Sequence, residues 1–146
     1  MERKKKNVFI QGAIPAEFIA ESIAKHQSKH SIGAHNIFLG QIRADHKANK
    51  TVAAIEYTSY QAMADEKLYE IREEAFEKFD LTCMHIYHSL GRVEVGEICF
   101  FVFVSSAHRK GVYKATEYIV NRIKAEVPIF GKEIFEDQTH QWKVNS

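Results

Sequence analysis

Three cationic residues, His108, Arg109 and Lys110, follow the serine pair Ser105-Ser106 at the predicted start of a helix. A helix N-terminus already carries partial positive charge and free N–H groups, so cations there are unfavourable unless an anion binds. Such departures from local preference are expected at functional sites. The segment predicts an anion pocket formed by backbone amides, His108 and Arg109. The alternative is that these long side chains simply point into water.

Three further cations stand where binding residues often occur. Lys124 falls in the last turn of the same predicted helix, where a lysine also complements the helix dipole. Arg43 ends an apolar segment just before a polar stretch. Lys132 follows Phe130-Gly131, where a glycine permits a turn or a close backbone approach. Taken singly, each of these residues also has an ordinary structural explanation.

The histidines and cysteines form no recognisable metal or nucleophile motif. His85 and His88 would face opposite sides of a strand, and His26 with His30 lacks a third ligand nearby. The two cysteines lie in apolar segments without CxxC spacing, which favours small core residues in a reducing compartment. The chain also lacks glycine-rich phosphate loops of the GxGxxG or GxxxxGK type. The sequence therefore predicts neither a metal site nor a nucleotide cofactor.

The composition is that of a folded globular protein. Of 146 residues, 45% are apolar and 27% charged, and only seven are glycine and two proline, which excludes a disordered or collagen-like chain. A net charge of +1 argues against a general nucleic-acid-binding surface. The longest apolar run, residues 98–104, is too short to cross a membrane as a helix. Residues 1–6 are interpreted as a basic flexible tail without a signal-peptide core, so we expect a cytoplasmic protein.

Hydrophobic periodicity predicts a mixed α+β order with about three helices. The helices are expected at residues 15–26 and 61–79, and in a segment that Ser105 or Ser106 caps and Pro128 ends. Strands are expected at residues 8–10, 33–43, 52–57, 81–88, 97–104, 132–135 and 140–144. A mobile loop is expected at residues 44–50 between two strands that form a hairpin, and turn regions at 91–96 and 136–139.

Five segments occur in a characteristic order and spacing, and together they run from about Ile32 to Trp142. They are Gly33-Ala34 with FLGQIR ending at Arg43, IEYTSYQAMA at 55–64, HSLGRVEVGE at 88–97, VSSAHR ending at Arg109, and IKAEVPIFGKE at 123–133. In these segments the chain resembles the catalytic (large) subunit of molybdopterin synthase, an enzyme of molybdenum cofactor biosynthesis.

The resemblance implies an α/β hammerhead fold, one domain over residues 1–146, and a homodimer with one small ubiquitin-like sulfur-carrier subunit at each end. It implies a sulfurtransferase: the glycine thiocarboxylate at the carrier's C-terminus enters a pocket of the large subunit. Two sulfur transfers to cyclic pyranopterin monophosphate then form the dithiolene of molybdopterin. The resemblance implies no metal or organic cofactor, no nucleic acid and no membrane.

The family pattern places substrate binding at Gln41, Ile42, Arg43, His108, Arg109, Lys124, Gly131, Lys132 and Glu133. Arg43 and Arg109 would bind the cyclic phosphate, and His108 would donate or shuttle a proton. Lys124 matches the essential lysine of the family. Crowding by other cations would disfavour its ammonium form and suit it to acid–base chemistry.

The chain departs from the family pattern at two positions. The family commonly has a tryptophan-lysine pair in PxWK, whereas Phe130 and Gly131 occupy those positions here, so the second catalytic lysine is absent from its usual place. We expect Lys132 to reach the same pocket, because glycine allows a close backbone approach and the lysine stem is long. Ser89 stands where arginine often follows the histidine, which would weaken a dimer or pocket contact.

Gly131 motivates a second hypothesis, a catalytically degenerate module that docks the sulfur carrier without turnover. A third is an anion- or RNA-binding domain that uses the 105–110 segment and the basic tail. The near-zero net charge makes that third hypothesis the weakest.

Overall fold

The computed structural model describes residues 7–144, so the basic tail predicted at residues 1–6 lies outside the described residues. The elements are β1 (Phe9–Gln11), α1 (Ala16–His26), β2 (Ala34–Gln41), β3 (His46–Lys47), β4 (Lys50–Ser59), α2 (Gln61–Lys78), β5 (Cys83–Glu94), β6 (Ile98–Ser106), α3 (Arg109–Glu126), β7 (Ile129–Phe135) and β8 (His140–Trp142). The predicted α+β class with three helices is confirmed. None of the described helices is long and apolar enough to cross a membrane.

One mixed sheet organises the chain, with strand order β2-β6-β5-β4-β7-β8 and antiparallel pairing along that path. β1 pairs in parallel with β5, and β3 pairs with β4. Successive side chains of β6 point to opposite faces. Phe101 and Phe103 pack on the α1 side, whereas Phe100, Val102 and Val104 join the core formed with α2 and α3.

Two predicted features of the sheet are wrong. The predicted hairpin between the strands on either side of residues 44–50 does not form, because β2 pairs with β6 while β4 pairs with β5 and β7. The predicted loop instead contains β3, which turns onto β4 through Ala48 and Asn49, both with positive φ. The predicted break after residue 88 is also absent, because β5 continues through Gly91 (φ 81°) and changes its antiparallel partner from β6 to β4.

Helix α3 begins differently from the prediction and ends as predicted. Ser105 and Ser106 belong to β6, and His108 is the N-cap residue, with an extended backbone and no side-chain capping bond. The Ser106 hydroxyl instead donates to the carbonyl of Asp80 at 2.7 Å, so the predicted serine cap is wrong. At the other end the helix stops at Glu126, before Pro128, as predicted.

The C-terminal hairpin predicted around residues 136–139 is confirmed. β7 begins a little earlier than expected, at Ile129, and pairs antiparallel with β8. This hairpin extends the sheet beyond β4 and runs beside the C-terminal end of α3. It therefore brings the end of the chain to the region where the last turn of α3 meets the sheet.

Candidate active site

A cavity of about 320 Å³ opens where the C-terminal end of α3 meets the sheet. The end of β2, the adjoining segment 42–45, and β4, β5, β6 and β7 supply its other walls. Its lining residues are Phe38, Leu39, Gly40, Gln41, Ile42, Arg43, Asp45, Ile55, Tyr57, His88, Cys99, Phe100, Ile123, Lys124, Val127, Ile129, Gly131, Glu133 and Lys143.

Three cations from separate parts of the chain line this cavity: Arg43 after β2, Lys124 in the last turn of α3, and Lys143 just after β8. Two carboxylates also line it, and both already have cationic partners. Asp45 contacts the guanidinium of Arg43 through two 3.3 Å interactions. The other carboxylate, Glu133, accepts hydrogen bonds from Lys47, which does not line the cavity.

Glu133 is an almost fully buried carboxylate in the cavity wall, 2% exposed. Lys47 Nζ donates to its two oxygens at 2.9 and 3.2 Å, and Gln141 Nε2 donates to Oε1 at 3.0 Å. Burial alone would raise the pKa of Glu133, but these hydrogen bonds and the charges of Lys47 and Lys143 hold it below its ordinary value. Glu133 therefore remains ionised and ties β3 and β8 to β7.

Three buried lining residues, His88, Tyr57 and Cys99, are uncharged near neutral pH. Burial lowers the pKa of His88 to about 4, so this histidine is uncharged near neutral pH. Its Nδ1 lies 2.8 Å from the carbonyl of Ser89, a bond that only the Nδ1–H tautomer can donate. Tyr57 Oη donates to Cys99 Sγ at 3.5 Å, and burial raises the pKa of both groups. Cys99 is therefore a protonated thiol.

The cavity brings together six of the nine site residues predicted from the sequence: Gln41, Ile42, Arg43, Lys124, Gly131 and Glu133. Lys132 does not line it, contrary to the expectation from the sequence. Side chains alternate along a strand, so the residue between Gly131 and Glu133 points to the other face. There Lys132 Nζ lies 3.4 Å from the carboxylate of Glu56, the residue of β4 that pairs with Lys132.

His108 and Arg109 lie at the opposite end of α3 from the cavity. Fifteen residues separate Arg109 from Lys124, which corresponds to about 22 Å along a helix axis. Both residues are exposed, and neither lines the cavity. Within one chain, the two groups of cations that the sequence singled out do not meet.

Ser89 is the second position at which the chain departs from the family pattern. It is fully buried, and its hydroxyl has no hydrogen-bond partner among the described residues. Because its neighbour His88 lines the cavity and side chains alternate along β5, Ser89 faces away from the cavity.

Three potential metal ligands converge on the other face of the sheet. One ring nitrogen each of His26 and His85 and the Sγ of Cys83 lie within 4.8 Å of one another, a set that spacing along the chain did not indicate. These residues already have partners, since the Nε2 atoms of the two histidines are 2.8 Å apart and Lys29 Nζ lies 2.9 Å from Cys83 Sγ. The His26 ring packs on Phe103, on the side away from the cavity.

The lining residues that were not predicted include four with polar or ionisable side chains, Tyr57, His88, Cys99 and Lys143, besides Asp45 next to Arg43. The first three are apolar-strand residues whose pattern indicates only burial. Lys143 had only a partial signal in the sequence: a turn at residues 136–139 would place residue 143 opposite residue 132, whereas the observed register, with Lys132 opposite Trp142, places it opposite Gly131. The backbone N–H of Lys143 indeed donates to the carbonyl of Gly131 at 2.7 Å.

Known proteins are similar in sequence to this chain over most of its length. The molybdopterin synthase catalytic subunit of Bacillus subtilis is 40% identical over 122 residues, which cover 84% of this chain and 76% of that protein. Its counterpart in Staphylococcus aureus is 42% identical over 113 residues, covering 75% of this chain and 76% of that protein.

Solved structures share the fold. The crystal structure of molybdopterin synthase from Staphylococcus aureus matches with a TM-score of 0.80 at 32% identity, over 98% of this chain and 99% of that chain. A complex of subunits 1 and 2 of the molybdopterin-converting factor from Helicobacter pylori matches with a TM-score of 0.77 over 92% of this chain and 87% of that chain, and its 19% identity supports the fold alone. A family model described as MoaE protein matches residues 14–126. With this match over most of its length and relatives at 40% identity or more, the chain belongs to the MoaE protein family.

Proposed function

We propose that this chain is the catalytic subunit of a molybdopterin synthase. It transfers sulfur from the C-terminal thiocarboxylate of a small ubiquitin-like carrier to cyclic pyranopterin monophosphate, forming the dithiolene of molybdopterin. The observation that carries this proposal is the cavity that collects Arg43 and Lys124 in a chain of this family.

The lining of the cavity suits a flat, phosphorylated heterocycle. Phe38, Phe100 and Val127 provide apolar contact surface for a ring system. Arg43 offers a planar fork of donors that matches phosphate oxygens, at the modest cost of its exposed contact with Asp45. The anionic substrate would therefore bind with its phosphate toward the cations.

Lys124 is the residue best placed to act on the reacting atoms. It lies in the cavity wall beside Ile123 and Val127, at the end of α3. As thiocarboxylate sulfur adds to the pterin side chain, negative charge develops on substrate oxygen, and an ammonium group within reach stabilises that charge and supplies a proton. The neutral His88 beside it adds no competing charge.

The carrier is expected to reach this cavity through an extended, glycine-ended tail. Such tails dock through main-chain hydrogen bonds, and residues without bulky side chains suit a narrow entrance.

We expect this chain to form a homodimer with one carrier at each end. Because about 22 Å of helix separates His108 and Arg109 from the cavity of their own chain, we infer that any contact they make with substrate comes from the second copy. A cytoplasmic location accords with two free cysteines among the described residues.

Reconstitution tests the proposal. Purified protein, thiocarboxylated carrier and cyclic pyranopterin monophosphate are incubated, and dithiolene product is measured. Product formation dependent on both carrier and precursor is the expected result. Carrier binding without product would favour the degenerate docking module instead. RNA binding that weakens steeply with salt, with no product, would favour the nucleic-acid hypothesis.

A further inference from the structure

Lys143 has the surroundings of a functional lysine. Its side chain lines the same cavity as Lys124 and Arg43, although it comes from the end of the C-terminal hairpin. It is half-buried, and among residues 7–144 its ammonium has no hydrogen-bond or ion-pair partner within normal distance. A lysine that serves only solubility would point into water, so the location of Lys143 requires another explanation.

The C-terminal hairpin fixes Lys143 in this place. The backbone N–H of Lys143 donates to the carbonyl of Gly131 at 2.7 Å, which continues the β7–β8 ladder by one residue. Two residues earlier, Gln141 pairs with Glu133 and its side chain donates to the Glu133 carboxylate. Since side chains two residues apart share a face, Lys143 lies on the cavity face with Gln141, and Lys132 lies on the other.

Gly131 leaves the cavity side of β7 free of a side chain at the position next to Lys143. A Cβ at residue 131 would lie 3.0 Å from Ile55 Cγ2 and 3.2 Å from the ring of Tyr57, which is tighter than ordinary contact. The strand therefore supplies no functional group of its own at this position. The cross-strand neighbour, Lys143, extends into the same part of the cavity.

The charges around Lys143 favour an anionic ligand. Burial lowers its pKa, and the nearby charges of Lys124 and Arg43 lower it further, while Cys99 and Glu133 act in the opposite direction. Three cations thus share one cavity whose two carboxylates are already engaged by Arg43 and Lys47. Clustered like charges destabilise the empty cavity, and a bound anion removes that cost.

We propose that Lys143 is a second substrate-contacting lysine, which binds the anionic phosphate of the pterin substrate together with Arg43 and beside Lys124. The proposal rests on the proposed function for the identity of the substrate. It assigns to Lys143 the place in the pocket that the sequence alone suggested for Lys132.

The test compares Lys143→Met with Lys132→Met, a matched control that removes a charge from the neighbouring strand on the opposite face. Both substitutions keep an unbranched side chain. We expect Lys143→Met to lower kcat/KM for the pterin substrate by about 10- to 100-fold, the effect of losing one charge-assisted hydrogen bond, mainly through KM. The kcat/KM of Lys132→Met should stay within about twofold of the wild-type value, as expected for the loss of a surface ion pair. Lys143→Arg should recover part of the loss seen in Lys143→Met. Equal losses in both variants, or no loss in Lys143→Met, would overturn the proposal.

A second readout does not depend on turnover. Wild-type protein is treated with acetic anhydride, with and without cyclic pyranopterin monophosphate, and modification of each lysine is measured by mass spectrometry. Protection of Lys143 with Lys132 unprotected supports the assignment even if no sulfur is transferred, in which case the proposed function fails and the binding assignment stands. Equal modification of Lys143 with and without the pterin phosphate refutes it.

Discussion

The two ends of helix α3 carry similar charges in very different surroundings. At its N-terminal end His108, Arg109 and Lys110 are exposed and lie outside the lining of the cavity. At its C-terminal end Lys124 lies in the cavity wall, to which strand ends contribute two further cations. By sequence alone the N-terminal end is unusual and the C-terminal end is ordinary, because cations oppose the helix dipole at one end and complement it at the other.

This contrast shows that an unfavourable local arrangement and a binding cavity are separate properties. Unfavourable placement of charge is visible in a short segment. A cavity depends on elements that are distant along the chain, here the end of β2, the last turn of α3 and the C-terminal hairpin. The two ends of α3 therefore lead to different predictions about function, and substitutions at each end test them.

The largest effect is expected at the C-terminal end. Lys124→Ala should lower the rate of sulfur transfer by about 10²- to 10³-fold, the typical cost of removing one group that stabilises transition-state charge. Binding of the carrier should persist, because the exposed lysine carries no core packing. Single-turnover product formation measures the rate, and Lys114→Ala, an exposed lysine on the same helix, is the control. A Lys124→Ala variant with full activity would contradict the assignment of the cavity as the site of sulfur transfer.

The buried wall of the cavity should make the stability of the protein dependent on pH. The pKa of His88 is about 4 in the folded protein, against about 6.5 when unfolded. Its contribution to stability is complete above pH 6.5 and is lost as the pH falls toward 4, because the unfolded chain takes up the proton first. The loss should reach ~3 kcal/mol in the free energy of unfolding.

Urea unfolding between pH 7 and pH 4.5 measures this dependence. His88→Leu should flatten the profile, whereas His108→Leu, which removes an exposed imidazole at the other end of α3, should leave it unchanged. Similar profiles for wild type and His88→Leu would mean that His88 does not stay neutral in the folded protein.

Much of the cavity was predictable from the sequence, but not its full set of cations. The end of an apolar strand and the end of a periodic helix mark Arg43 and Lys124 only as candidates, and the resemblance to the family assigns both to the substrate site. Lys143 depends on the register of the C-terminal hairpin. Lys132 was expected in the pocket because Gly131 allows a close backbone approach and the lysine stem is long, but that expectation does not take account of strand alternation. Strand alternation places the side chains of these two lysines on opposite faces of the sheet.

The same distinction explains the errors in the fold. The strands were recognised by their apolar patterns, but their partners were not. β2 and β4 follow each other along the chain without pairing, because β6 and β5 occupy the positions between them. The continuity of β5 through Gly91 likewise depends on its change of partner, which a local pattern does not record.

At the N-terminal end of α3, Arg109→Ala should lower sulfur transfer by about 10-fold or more if a second copy uses this residue at its cavity. Mixing Arg109→Ala with Lys124→Ala subunits should then restore roughly a quarter of wild-type activity, because half of randomly formed dimers regain one intact site of two. Refolding or co-expression of the two variants, with each alone as control, measures the recovery. No recovery would mean that the two ends of α3 act in one chain, and full activity of Arg109→Ala alone would mean that Arg109 does not act at all.

The smallest effect concerns His108, which occupies the N-cap position without a capping side chain. His108→Asn should raise the free energy of unfolding by about 1 kcal/mol, because asparagine accepts a hydrogen bond from an N–H group of the first turn. His108→Ala, which cannot form that bond, should not. If the histidine is kept for function, the stabilised His108→Asn variant should also lose sulfur transfer, as stability–activity trade-offs predict. A variant both more stable and fully active would make the N-terminal end of α3 an ordinary solvated surface and leave the chemistry entirely to the C-terminal end.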